Sequence, residues 1–208
     1  MTIPAREALQ RLRDGNTRFH THVAGAGNAL ANAEHAELVA DQEPLAIILG
    51  CSDSRVPAEI VFDQGLGDLF VIRVAGNIVA PSQVGSVEFA ASRFGTRLVV
   101  VLGHSQCGAI LATIEELRRP SDSQSRNLRA IVDRVRPAVQ PLLATNLADD
   151  HDALVKKAVR ANIRAAANHL RHGSEVLEQL IRDEGLLVVG AEYSIETGAV
   201  EFFDGLPD

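Results

Sequence analysis

The 208-residue sequence has no apolar run approaching the roughly 18 to 20 residues needed to cross a bilayer. It also has no excess of basic residues. Its 27 acidic and 20 basic side chains leave a formal charge of −7. Nucleic acid and anionic membrane surfaces both require a basic face, so neither is expected as a partner. Cysteine is scarce: only Cys51 and Cys107 occur, too far apart for a C-x-x-C redox motif. A chain of this length has no need of a disulfide staple. The opening stretch, "MTIPAREALQRLRDGN", is charged and periodic rather than apolar, unlike a secretory leader, so a cytoplasmic location is expected. No internal repeat or low-complexity tract is present.

What remains is ordinary globular material, 46% apolar and 23% charged, enough for one domain over residues 1–208. Ala8, Leu9, Leu12 and Phe19 fall at helical spacing within residues 5–19, with Gly15-Asn16 expected to weaken or end that helix. "GAGNALAN" (25–32) reads as a connection. A short helix is expected near 33–41, stopping before Pro44. Three continuous apolar runs follow: "LAIILG" (45–50), "LFVIRVAG" (69–76) and "RLVVVLGH" (97–104). Runs apolar on both sides suit parallel strands covered on both faces. Helical stretches separate them at 57–65 and 82–95, and another follows at 107–119. Residues 124–184 read as helices interrupted at Pro137 and Pro141, and one of these helices ends at Gly173. "LLVVGAEYSI", a Glu-Thr-Gly turn and "AVEFFD" read as a hairpin. The fold class is therefore α/β: a doubly wound, mainly parallel central sheet flanked by helices, with an antiparallel C-terminal strand and an N-terminal helical arm.

Ligands of open α/β sheets bind beyond the carboxyl ends of the strands. The first run ends at Cys51 and the third at "GHSQCGA", which carries His104 and Cys107. If the first and third strands are neighbours, two thiols and an imidazole converge. Two cysteines and a histidine, with a fourth position open, form one of the donor sets of catalytic zinc. Asp53 and Arg55, in "CSDSR", stand two apart and point the same way in an extended segment, where an arginine can hold a carboxylate through two bonds. Asp53 is also close enough in sequence to Cys51 to reach a metal, so the pair could behave as a two-state gate. Taken alone, these residues leave other readings open: buried inert thiols, a thiol redox protein, or a metal-stabilised module without catalysis.

"CSDSRVPAE" together with "GHSQCGA" resembles the β-class carbonic anhydrases, with support from "DQGLGDLFVIRVAGN", "GSVEFA" and "VVGAEYSIETG". The resemblance runs from about residue 5 to 204. It implies Zn2+ on Cys51, His104 and Cys107, and reversible hydration of carbon dioxide to bicarbonate by a zinc-bound hydroxide. Asp53 and Arg55 would orient the hydroxide and gate the metal. It further implies a substrate pocket using Gln42, Phe70, Ala75, Gly76, Phe89 and Gly108. Phe89 stands where some members have tyrosine, and Ala75-Gly76 where plant-type members have valine and alanine, which suggests a slightly roomier pocket. It implies a homodimer with the active site at the interface, in the family often doubled to a tetramer, and residues 1–43 as an arm packed on the partner. One subgroup is locked by bicarbonate through a tryptophan, an arginine and a tyrosine. Here Ile48 replaces the tryptophan while Arg73 and Tyr193 remain, so the lock is expected to be weak or absent. Some relatives of the fold act on carbon disulfide instead, a distinction the sequence does not make.

Overall fold

The computed structural model describes residues 3–21, 42–120 and 125–207. The three apolar runs form strands β1 (Ala46–Gly50), β2 (Leu69–Arg73) and β3 (Leu98–His104), and the hairpin supplies β4 (Leu187–Tyr193) and β5 (Val200–Asp204). They build one sheet in the order β2-β1-β3-β4-β5. The first four strands are mutually parallel, and β5 pairs antiparallel with β4. β1 and β3 are adjacent, with Gly50 opposite Leu102 in register. The exits of both strands, where the ligand rule places chemistry, therefore lie side by side.

Both faces of the sheet are covered, which is why β1 and β3 are buried at every residue. Side chains alternate between the faces. Ile47, Leu49, Val99 and Val101 enter one core with helices α3 (Pro81–Arg93), α4 (Gly108–Arg118), α5 (Arg126–Leu143), α6 (His151–His172) and α7 (Glu175–Glu184). Ile48, Leu98, Val100 and Leu102 enter a second core with α1 (Ala5–Thr21) and the single-turn α2 (Ala58–Val61). Each fully buried Leu, Ile or Val contributes about 1.5–3 kcal/mol relative to exposure.

Three expectations change. Gly15 and Asn16 do not break α1, which runs through them. A Cβ on Gly15 would lie 1.8 Å from the carbonyl oxygen of Phe62, so glycine is what lets the helix touch that backbone. Asn16 Nδ2 donates to the carbonyls of Val61 and Gly198, and its Oδ1 accepts from Val200 N. Pro137 and Pro141 lie inside α5 without ending it. Four residues apart, they share its exposed side, where carbonyls freed by the missing N–H groups meet water. The stretch at 57–65 gives only the one turn of α2.

The apolar side of α1 is covered by its own chain, with Ala8, Leu9 and Leu12 buried in the second core. The connection at 25–32 and the helix expected at 33–41 lie outside the described residues. Among the described residues, no helix is long and apolar enough to cross a membrane.

Candidate metal centre

Cys51 is the first residue beyond β1, His104 is the last residue of β3, and Cys107 caps the N-terminus of α4. Strand adjacency brings them together. One ligand atom from each lies within 4.8 Å of the others. All three residues are buried, His104 completely. The two Sγ atoms are 4.0 Å apart, about twice a disulfide bond length. Two thiolates each about 2.3 Å from one tetrahedral ion would stand roughly 3.8 Å apart.

The electrostatics fit an ion. His104 Nδ1 is 2.9 Å from the carbonyl oxygen of Ser105, which directs Nε2 towards the thiols. Nε2 itself is buried with no hydrogen-bond partner. An orphaned buried imidazole nitrogen beside two sulfurs is a feature that a metal ion satisfies. The two sulfurs lie within hydrogen-bonding distance of one another. Cys51 is drawn far below the usual thiol range because Cys107 donates to it, with His104 and the Gly76 N–H helping. Cys107 is pushed up, first by that same bond and then by burial. A cation bound here would take the place of the thiol proton and leave both sulfurs as thiolates.

The other half of "CSDSR" faces outward. Arg55 Nε donates to Asp53 Oδ1 (2.9 Å) and Nη2 to Oδ2 (2.7 Å), and the backbone N–H of Arg55 also meets Oδ1 (3.0 Å). The Arg55 guanidinium holds the Asp53 carboxyl well below the usual carboxylate range. Asp53 Oδ2 lies 3.8 Å from His104 Nε2, so the carboxylate sits at the edge of the ligand cluster.

Further contacts fix the two turns, and sequence reading had not singled them out for that purpose. Arg73 Nε donates to the carbonyl of Cys51 (2.9 Å) and Nη2 to that of Asp53 (2.5 Å), so this arginine from β2 ties down the first turn. Ser105 Oγ donates to Glu196 (2.7 Å) and accepts from Ile195 N (3.0 Å), tying the second turn to the end of β4. Gly76 N donates to Cys51 Sγ (3.3 Å). Arginine and serine at strand ends carry no local signal of such roles, because their partners are 20 to 91 residues away.

The residues named for the substrate pocket divide into two groups. Gly76 touches Cys51, and Ala75 precedes it. Gly108 follows Cys107, with nothing within 4 Å of where its Cβ would stand. These three adjoin the ligands. Gln42 is exposed and precedes the opposite end of β1, roughly 17 Å of strand away. Phe70 pairs in register with Ile47, three residues before the strand exit. From the edge strand β2 it packs with Phe89 and Phe94 at centroid distances of 6.2 and 6.0 Å, and those two rings lie 5.6 Å apart. One chain alone does not bring Gln42, Phe70 or Phe89 to the metal corner. Tyr193 is buried, and its carbonyl accepts from Ser105 N.

Comparison with known proteins agrees with this geometry. The family profile described as carbonic anhydrase matches residues 46–200. Carbonic anhydrase 2 of Mycobacterium tuberculosis is 37% identical over 196 residues, covering 92% of this chain and 89% of the relative. Among solved structures, a β-carbonic anhydrase of Aspergillus fumigatus superposes with a TM-score of 0.74 at 22% identity, covering 98% of this chain and 92% of that one. A tetrameric β-carbonic anhydrase of Sordaria macrospora gives 0.69 at 23% identity, covering 95% and 97%.

Proposed function

The chain belongs to the β-class carbonic anhydrases, metalloenzymes that hydrate carbon dioxide, and from that premise we propose that it is a zinc enzyme interconverting carbon dioxide and bicarbonate through Cys51, His104, Cys107 and the Asp53–Arg55 pair. The observation that carries the reading is the buried, unpartnered His104 Nε2 beside two sulfurs 4.0 Å apart, with an ionised carboxylate 3.8 Å away. Two thiolates and an imidazole suit zinc among the divalent ions. Bound zinc supplies an acidified water at near-neutral pH and a Lewis-acid contact for oxygen.

The chain's own residues do the rest. Asp53 stays ionised because Arg55 holds both of its oxygens, so it is an acceptor only. It accepts a hydrogen bond from the attacking oxygen and so turns that oxygen's lone pair towards the substrate carbon. Arg55 keeps the carboxylate from swinging into the ligand cluster. Once released from Arg55, Asp53 would compete for the open metal position and halt turnover. Arg73 holds the carbonyls on either side of this turn, so its guanidinium already has its partners. With Ile48 in place of a tryptophan, this supports a bicarbonate lock that is weak or absent.

Gln42, Phe70 and Phe89 would meet a substrate only across a subunit interface. The exposed edge strand β2 and the aromatic cluster, with Phe89 54% exposed, support a homodimer joined there. The tetrameric fold relative makes a pair of such dimers the natural larger assembly. A cytoplasmic location is part of the same reading.

Stopped-flow hydration of carbon dioxide, on protein with quantified zinc, tests the function. Turnover that scales with zinc, and disappears when a chelator removes it, is expected. A fully zinc-loaded protein inert to carbon dioxide would refute the catalytic reading. Carbon disulfide would then be the next substrate to try.

A further inference from the structure

One polar residue interrupts the buried side of α6. Asn162 is 3% exposed and lies between Val159, Ile163 and Ala166 on that side. Asparagine is a poor helix former, and burying its amide is unfavourable unless the amide is bonded. Its Nδ2 donates to the carbonyl oxygen of Gly76 at 2.8 Å. Gly76 has φ +69° and Asn77 has φ +43°, two successive left-handed residues, of which the second is not glycine. Asn77 Nδ2 is buried without a partner. A segment this constrained persists only where its surroundings fix it. Two fixings are visible: Asn77 N donates to Val74 O at 3.0 Å, and Asn162 holds Gly76. The outcome is the Gly76 N–H placed against Cys51 Sγ.

The height of α6 above the sheet is itself fixed. Ile163, next to Asn162, fills a slot over two glycines on adjacent strands. A Cβ on Gly103 would stand 2.5 Å from Ile163 Cδ1, and one on Gly190 would stand 2.8 Å from its Cγ2. Gly103 immediately precedes His104. The wedge that seats Asn162 therefore also abuts the strand delivering the imidazole.

We propose that Asn162 is a positioning residue for the metal centre: by holding the Gly76 carbonyl it aims the Gly76 N–H at the Cys51 sulfur and tunes how strongly that sulfur donates to the ion. The proposal rests on Cys51 being a metal ligand. A hydrogen bond to a ligand sulfur draws charge from it and leaves the ion more acidic. Such outer contacts typically change affinity or activity 10- to 100-fold.

The cobalt(II)-substituted protein gives a readout independent of turnover, because thiolate-to-cobalt charge-transfer absorption reports sulfur donor strength. Asn162→Leu keeps the branched shape and the number of side-chain heavy atoms without the donor. Val159→Ala, on the same side of α6, lightens the packing without touching Gly76. Asn162→Leu should shift the band to lower energy, because the released sulfur donates more strongly, and for the same reason slow cobalt loss to a chelator about tenfold. Val159→Ala should leave both unchanged while lowering the melting temperature. If Asn162→Leu fails to fold, Asn162→Ser, too short to reach Gly76, is judged by the same two readouts. A band and a loss rate identical to those of the unsubstituted protein would reduce Asn162 to a packing contact and overturn the proposal. No charge-transfer band in the unsubstituted protein would instead refute the thiolate ligation on which it stands.

Discussion

The turn after β1 and the turn after β3 deliver the same chemical group to one point, but they are anchored differently. In the first, Cys51 is buried while Ser52, Ser54 and Arg55 are exposed. Its anchors are Arg73 on the edge strand and the Asp53–Arg55 pair within the turn. In the second, His104 and Cys107 are both buried, and the turn is tied to the β4–β5 hairpin through Ser105 and to α4 through the Cys107 cap. One turn is part of the core. The other touches the core through one residue and presents a polar, exposed end. This division suits a site that must hold an ion firmly and still let a carboxylate move beside it.

The largest effects should come from the ligands, and they should differ between the turns. Both Cys51→Ser and His104→Ala should lose the metal and reduce hydration to background. His104→Ala should also cost roughly 2–5 kcal/mol, as for emptying a fully buried site. Cys51→Ser should cost about 1–2 kcal/mol. Metal analysis and denaturant titration check both. Equal destabilisation would erase the distinction between a core turn and a peripheral one.

Arg55→Ala sharpens the same contrast at the exposed end. It should keep the metal and its melting temperature, because an ion pair this exposed adds little stability. Hydration should fall about 100-fold, the lower end of what a positioned proton acceptor contributes. Full turnover in this variant would show that the pair has no part in the reaction.

The smallest effect lies behind the second turn. Ser105→Ala removes two hydrogen bonds and should cost about 1 kcal/mol at neutral pH. The Ser105 hydroxyl holds Glu196 below the usual carboxylate range. A lowered carboxyl pKa adds stability above its unfolded value, and that stability is lost as pH falls through the folded one. The gap between Ser105→Ala and the unsubstituted protein should therefore narrow below about pH 4. Denaturant melts across pH would show a constant gap if Glu196 were uninvolved.

Much of this was legible where the signal is local. Continuous branched runs mark β1 and β3 because both of their faces are buried, and the rule for strand exits then gathers Cys51, His104 and Cys107. Asp53 and Arg55 are two residues apart, so their pairing could be read directly. Long-range ties were not legible. Gly15 and Asn16 look like a helix breaker until Phe62, Val61 and Val200 are placed beside them. Pro137 and Pro141 look like interruptions until both fall on a wet helix side. Arg73, Ser105 and Asn162 act on partners 17 or more residues away from them in the chain. Only Asn162 left a trace, as a lone amide amid the apolar positions of "VRANIRAAA". Gln42, Phe70 and Phe89 came from resemblance, and a single chain keeps them apart from the metal corner.

The central claim is that both turns bind one ion. X-ray absorption at the metal edge of the zinc-loaded protein tests it most directly. The account predicts two sulfurs at about 2.3 Å with the remaining ligands nitrogen or oxygen near 2.0 Å. A shell with no sulfur, or with one, would contradict it.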